Sequence, residues 1–176
     1  MLPVSYGSQP LASVATDRHD VPMTSAALVP ADLLSAIDHV GIAVPDLDEA
    51  LDFYAGTFGL RAVHEEVNEE QGVREAMLSV GASDTQVQLV APLRPDSPIA
   101  NFLARRGQGI QHLAYRVVDI DAVSQLLRER GLRLLYDAPR RGTSDSRVNF
   151  VHPKDAGGVL VELVEPAARM TPGRPA

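Results

Sequence analysis

The stretch Ile37–Val44, IDHVGIAV, returns seventy-three residues later inside Ile110–Val118, IQHLAYRVV. Each copy has the character of a β-strand, each holds a histidine in third place (His39, His112), and each leads into Asp-Leu/Ile-Asp at the start of a helical pattern. Over Ile37 to Asp48 against Ile110 to Asp121, five of twelve positions are identical. A repeat of this length predicts two copies of one supersecondary unit that must pack together to bury their apolar faces. Each copy then offers one histidine from its first strand.

In the first copy Val40, Ile42 and Val44 alternate with His39, Gly41 and Ala43, so one face is apolar and the other sets an imidazole among small residues. Pro45 ends the strand. Asp46, with Glu49 three residues on, opens a helix through Phe58, with apolar positions at helical spacing and Gly59 as its stop. Strands follow at Arg61–Glu66, Val73–Val80 and Thr85–Val90. Ser97-Pro98 starts a short helix that stops at Gly107. The second copy repeats the order: Ile110–Val118, a helix from Asp119 through Arg130, then strands at Leu132–Tyr136, Arg147–Val151 and Val159–Val164. The division reads as a flexible leader over 1–34, a first module over 35–91, a linker with a short helix over 92–108, a second module over 109–166 and a tail over 167–176. Met23 is a candidate alternative start.

At 176 residues without cysteine, the chain buries enough surface to fold unaided and excludes disulfides, thiolate metal sites and cysteine nucleophiles. The missing cysteines are compatible with the cytoplasm. A net charge of −7 argues against a nucleic-acid binder, and no run reaches the roughly 20 apolar residues of a membrane span. An anionic ligand stays compatible with this charge where cations cluster. Arg140, Arg141, Arg147 and Lys154 form one such cluster, Arg105 and Arg106 another.

Aligning the copies on their histidines brings a second pair into correspondence. Gln88 in VQLV matches Glu162 in VELV, seventy-four residues apart, each on the last strand of its unit. If the two sheets curl and face each other, His39, Gln88, His112 and Glu162 converge. Such mixed nitrogen and oxygen donors suit a divalent ion such as Co²⁺, Mn²⁺, Ni²⁺, Zn²⁺ or Mg²⁺, leave coordination positions open and equip it as a Lewis acid. Glu75, on the third strand and on the same side as Gln88, is placed to take a proton from carbon. Asn149 is its counterpart in the second copy. Two further histidines carry less: His64 reads as solvated and His152 as a structural hydrogen-bonding residue of the HPK turn.

From Ile37 to Glu165 the strings IDHVGIAVPDLDEA, QGVREAML, TQVQLVAPL, RVVDIDAV, LRERGLRLLYD and VNFVHPK…GVLVEL occur in an order that resembles the methylmalonyl-CoA epimerases of the vicinal oxygen chelate superfamily. The resemblance implies an α+β fold in which paired βαβββ modules form a curled mixed sheet around a metal cleft, helices outside. It implies metal ligands at His39, Gln88, His112 and Glu162, with Co²⁺ foremost among the candidate ions, and acid/base roles for Glu75 and Glu162. The implied reaction interconverts (2R)- and (2S)-methylmalonyl-CoA by removing and returning the α-proton through a metal-stabilised enolate. An acyl-CoA partner, a homodimer and the cytoplasm belong to the same expectation. Arg140, Arg147, Lys154 and Asn149 are the expected substrate contacts. Gln111, before the second histidine, departs from members that carry histidine there. The alternatives are a glyoxalase I-like isomerase, for which glutamate in place of Gln88 is the usual pattern, and a metal-free binding module, which has little reason to keep four ligand-type residues at matched positions.

Overall fold

Asp46 and Asp119 stand where strand gives way to helix in the two copies. In the computed structural model, which describes residue 30 and residues 33–167, Asp46 accepts a hydrogen bond from the Glu49 N–H at 3.0 Å and Asp119 one from the Ala122 N–H at 2.9 Å. Each satisfies an amide that the first helical turn leaves without a partner. The elements in order are β1 (Leu34–Ala43), α1 (Leu47–Phe58), β2 (Ala62–Asn68), β3 (Val73–Ser79), β4 (Gln86–Pro92), α2 (Pro98–Arg106), β5 (Gly109–Val117), α3 (Ile120–Glu129), β6 (Arg140–Arg141), β7 (Arg147–Val151) and β8 (Leu160–Glu165). Most of the expected leader and tail, Met23 included, lies outside the described residues; Leu34 already belongs to β1.

The strands form one eight-stranded sheet in the order β2-β3-β4-β1-β5-β8-β7-β6. Each half has its first strand parallel to its last, β1 to β4 and β5 to β8, and the halves join where β1 runs antiparallel to β5. The repeat is thus a repeat of topology, in a mixed curled α+β sheet with three helices. α1 covers one half through Leu47 and Ala50, which pack on Val44, Ala76, Leu78 and Leu89. α3 covers the other through Ile120 and Val123 on Val117, Val151 and Leu163. Withdrawing each large side chain of these layers from water contributes roughly 1.5–3 kcal/mol, and that fixes which face of every strand is turned to the helices. α2 packs elsewhere: its Ile99 meets Ala43, Val73 and Val90, residues of the opposite face, and closes one end of the cleft. No helix among the described residues is long and apolar enough to cross a membrane.

The expected strand Leu132–Tyr136 is not formed. Leu134 makes only an isolated bridge to Val151, and the edge of this half is the two-residue β6. Backbone pairing is limited to the His152 N–H on the Arg133 carbonyl and the Leu135 N–H on the Phe150 carbonyl, both at 2.8 Å; at Tyr136 it gives way to Asn149, whose amide donates to the Tyr136 carbonyl at 3.0 Å and accepts from the Tyr136 N–H at 3.2 Å. Pro139, which has no N–H to give, follows before the pairing resumes at Arg140.

Gly41 lies opposite His112 in the β1–β5 register, and a Cβ built on it would fall within the His112 imidazole. The imidazole occupies the room that the small residues of β1 leave. Gly56, exposed on α1, has nothing within 4 Å of such a Cβ. The same substitution therefore has opposite signs at the two positions. Gly41→Ala is expected to destabilise the fold by about 1–3 kcal/mol through overpacking, and Gly56→Ala to stabilise it by about 0.5–1 kcal/mol through helix propensity. Urea unfolding of the two variants beside the parent measures both.

Candidate metal centre and acid/base site

The five central strands each present one chemically active side chain to the concave face: Glu75 from β3, Gln88 from β4, His39 from β1, His112 from β5 and Glu162 from β8. All five are buried. His39 Nε2 and His112 Nε2 are 3.0 Å apart, and each lies 3.1 Å from the same oxygen, Glu162 Oε2. The far nitrogen of each ring is occupied: His39 Nδ1 is 2.9 Å from Asp38 Oδ1, and His112 Nδ1 bonds Gln111 Oε1. Those acceptors favour a proton on each Nδ1, so that in the neutral rings each Nε2 offers a lone pair, and with Glu162 Oε2 three donor atoms from the two halves of the chain point at one spot.

An arrangement of that kind calls for a positive charge. His39 answers in part: burial would lower its pKa, but hydrogen bonds to Asp38 and Glu162 overcome that and raise it to about 9. Glu162, which burial would push up, is drawn down to about 2 by its bonds to His112 and His39. His39, His112 and Glu162 form a group able to hold a metal ion.

Gln88 spends its amide nitrogen on Glu75 Oε2 at 3.0 Å and on Thr143 Oγ1 at 3.1 Å. Its Oε1 is left buried without a hydrogen-bond partner, an acceptor that a cation would satisfy. Gln88, His112 and Glu162 line one cavity of about 280 Å³, with Arg94, Tyr136 and Arg140 toward its mouth. His39, Glu162, Arg116 and His64 line a second, of about 400 Å³.

Glu75 is set apart from Glu162 by its surroundings. Burial, joined by the nearby carboxylates of Glu66 and Glu162, raises its pKa to about 7 against a hydrogen bond from Thr143 that lowers it. Thr143 Oγ1 donates to Glu75 Oε1 at 2.6 Å. It arrives from the other half, on the 3₁₀ turn Thr143–Asp145, which Glu66 fixes by accepting from the Ser144 N–H at 2.9 Å. Sequence reasoning missed Thr143, since a threonine in a polar loop has no spacing that would single it out. His64, expected in solvent, is half-buried and 2.6 Å from Glu66 Oε2.

The expected substrate contacts separate in space. Arg140 stays at the cavity mouth, its guanidinium 4.0 Å from the centre of the Tyr136 ring. Arg147 points to the helix-covered side, where it pairs with Asp121 at 2.7 Å and Glu165 at 3.2 Å. Lys154 is exposed on the turn Pro153–Asp155 and lines neither cavity. Asn149 is fully buried, its amide committed to Tyr136. His152, as expected, serves structure: its Nδ1 accepts from the Lys154 N–H.

Residues 38–150 match the Glyoxalase/Bleomycin resistance protein/Dioxygenase superfamily. The human mitochondrial methylmalonyl-CoA epimerase is 38% identical over 131 residues, which are 74% of this chain and 73% of that protein. The crystal structure of methylmalonyl-CoA epimerase from Mycobacterium tuberculosis superposes with a TM-score of 0.77 at 55% identity, covering 81% of this chain and 95% of that one. A Streptomyces coelicolor methylmalonyl-CoA epimerase variant in complex with 2-nitronate-propionyl-CoA gives a TM-score of 0.74 at 48% identity, over 77% of this chain and 99% of the other. With its mixed sheet of two repeated halves and its buried donors drawn from both, the chain belongs to the glyoxalase superfamily and, within it, to the family of the methylmalonyl-CoA epimerases.

Proposed function

We propose that the protein is a metal-dependent epimerase interconverting (2R)- and (2S)-methylmalonyl-CoA. The observation that carries this reading is a buried carboxylate, Glu75, bonded by Gln88 and Thr143, on the strand next to Gln88 and on the same face as a donor set suited to a divalent cation, His39, His112 and Glu162. Its relatives of that name, one of them in complex with an acyl-CoA analogue, support it.

His39, His112 and Glu162 would hold the cation, with Gln88 Oε1 as the fourth protein donor. A divalent ion there supplies a Lewis acid for the thioester oxygen, where negative charge develops as the α-proton leaves. Co²⁺ is the foremost candidate. The protein's own groups do the rest. Glu75, with a pKa near the working pH, takes the proton from the α-carbon or returns it. The Thr143 hydroxyl and the Gln88 amide nitrogen bond both its oxygens and so fix the direction of its lone pairs. Inversion requires delivery from the opposite face; Glu162 is assigned that role through a relayed water, because its bonds to His112 and His39 hold the carboxylate itself ionised. Arg140, on Tyr136 at the cavity mouth, is the cation best placed for the phosphates of the CoA portion; Arg147, Lys154 and Asn149 line neither cavity. Two modules, a homodimer and residence in the cytoplasm belong to the same proposal, supported by the repeat, the resemblance and the cysteine-free composition respectively.

Exchange of the α-proton of methylmalonyl-CoA with deuterium from solvent, followed by NMR, tests the reaction. Rapid exchange is expected for the parent and a loss of about 10²–10⁴-fold for Glu75→Ala; equal rates would remove Glu75 from the mechanism. Stripping the protein with a chelator is expected to abolish exchange, and adding back Co²⁺ to restore it. The titration of Glu75 also has a sign. Its folded value of about 7 lies above the ordinary 4.5, so the stability it allows is present below 4.5 and lost as pH rises toward 7, while the unfolded carboxyl ionises freely. In metal-stripped protein, Glu75→Gln is therefore expected to be more stable than the parent at pH 8 and to lose that advantage at pH 5, as read by urea unfolding.

A further inference from the structure

Alternation along a strand should turn the residue before each histidine toward the helices. Neither Asp38 nor Gln111 goes there. The pairing of β1 with β5 steps from Ile37↔Tyr115 to His39↔Ala114, which leaves Asp38 with no opposite residue. It steps again from Gly41↔His112 to Ile42↔Ile110, which leaves Gln111 with none. Each step is a β-bulge, an extra residue that re-aims a side chain. Asp38 consequently lines the larger cavity with His39, and Gln111 lines the smaller one with His112.

Each re-aimed side chain ends on the outer nitrogen of its own neighbour. Asp38 Oδ1 is 2.9 Å from His39 Nδ1, and Gln111 Oε1 bonds His112 Nδ1. The two differ in chemistry. Asp38 is a buried carboxylate whose Oδ2 accepts from Arg116 Nε at 2.8 Å, and Arg116 reaches it across the β1–β5 junction. Gln111 is a neutral amide.

We propose that the paired bulges make Asp38 and Gln111 the positioning residues of the cation site, and that Asp38, braced by Arg116, makes His39 the stronger of its two imidazole donors. The proposal rests on reading His39, His112 and Glu162 as cation ligands. An acceptor on Nδ1–H fixes the tautomer, so that Nε2 presents a lone pair rather than a proton to the site, and it sets the ring plane. An anionic acceptor also increases electron density at Nε2, which a neutral amide does less well. The sequence repeat carries the histidines, and the bulges carry their supports, in the same place in both halves.

The test uses the full chain, with Co²⁺ as the probe. Calorimetric titration gives its affinity for the parent, Asp38→Asn and Gln111→Glu. Proton NMR of the Co²⁺-loaded proteins reads the solvent-exchangeable Nδ1–H resonances shifted by the paramagnetic ion, a signature that a merely structural role would not move. Melting of the metal-free proteins checks that each variant is folded. The parent is expected to show two such resonances. Asp38→Asn is expected to bind about 10–100-fold more weakly and to lose or shift one resonance. Gln111→Glu is expected to bind more tightly and to shift the other, and it decides the matter alone should Asp38→Asn fail to fold. Folded variants with the parent's affinity and unchanged resonances would overturn the proposal while leaving the ligand reading intact. A parent chain that takes up no Co²⁺ would overturn both.

Discussion

Three electron-rich atoms from opposite halves of the chain meet within 3.1 Å in a buried place. Stripped of hydration and without a proton or a cation among them they would repel; the raised proton affinity of His39 meets that need, and a bound cation would meet it as well. The rest of the structure serves to make that meeting unavoidable. Helices α1 and α3 pin the outer faces of the two half-sheets, the antiparallel β1–β5 junction sets the register, and Gly41 clears the space into which His112 swings. A histidine, a glycine and a helix cap that look unrelated in sequence are parts of one geometric condition.

The same cleft separates two carboxylates by environment. Glu162 faces two imidazoles and is held ionised. Glu75 faces other carboxylates in a buried place, with one hydroxyl and one amide bonding it, and is kept near neutrality. Two identical groups would compete for one role. Groups pushed apart in this way can serve as an electrostatic anchor and as an acid/base. The turn bearing Thr143 ties the two halves together here, since it leaves the second half to bond the Glu75 carboxylate of the first.

How much of this was readable beforehand depended on whether a residue shared in the repeat. His39, His112, Gln88 and Glu162 were legible because matched positions on matched strands must return to matched places. Asp46 and Asp119 were legible through capping chemistry that needs only local sequence. Arg140, Arg147 and Lys154 are close in sequence, yet alternation and the intervening turns send them to different surfaces, and a charge cluster in the chain became none in space. The strand expected at Leu132–Tyr136 had suitable residues but lost its ladder to Asn149, a side chain seventeen positions beyond Leu132. Thr143, and the bulges that turn Asp38 and Gln111 inward, depend on pairing register across the halves, which no local pattern encodes.

The central claim is that both halves grip one cation. Crystals of the full chain grown with Co²⁺ and measured at the cobalt absorption edge would locate it by anomalous scattering. The account predicts one strong peak per chain, about 2.1 Å from His39 Nε2, His112 Nε2 and a Glu162 carboxylate oxygen. A cleft without a peak, or cobalt held by the residues of one half only, would contradict it.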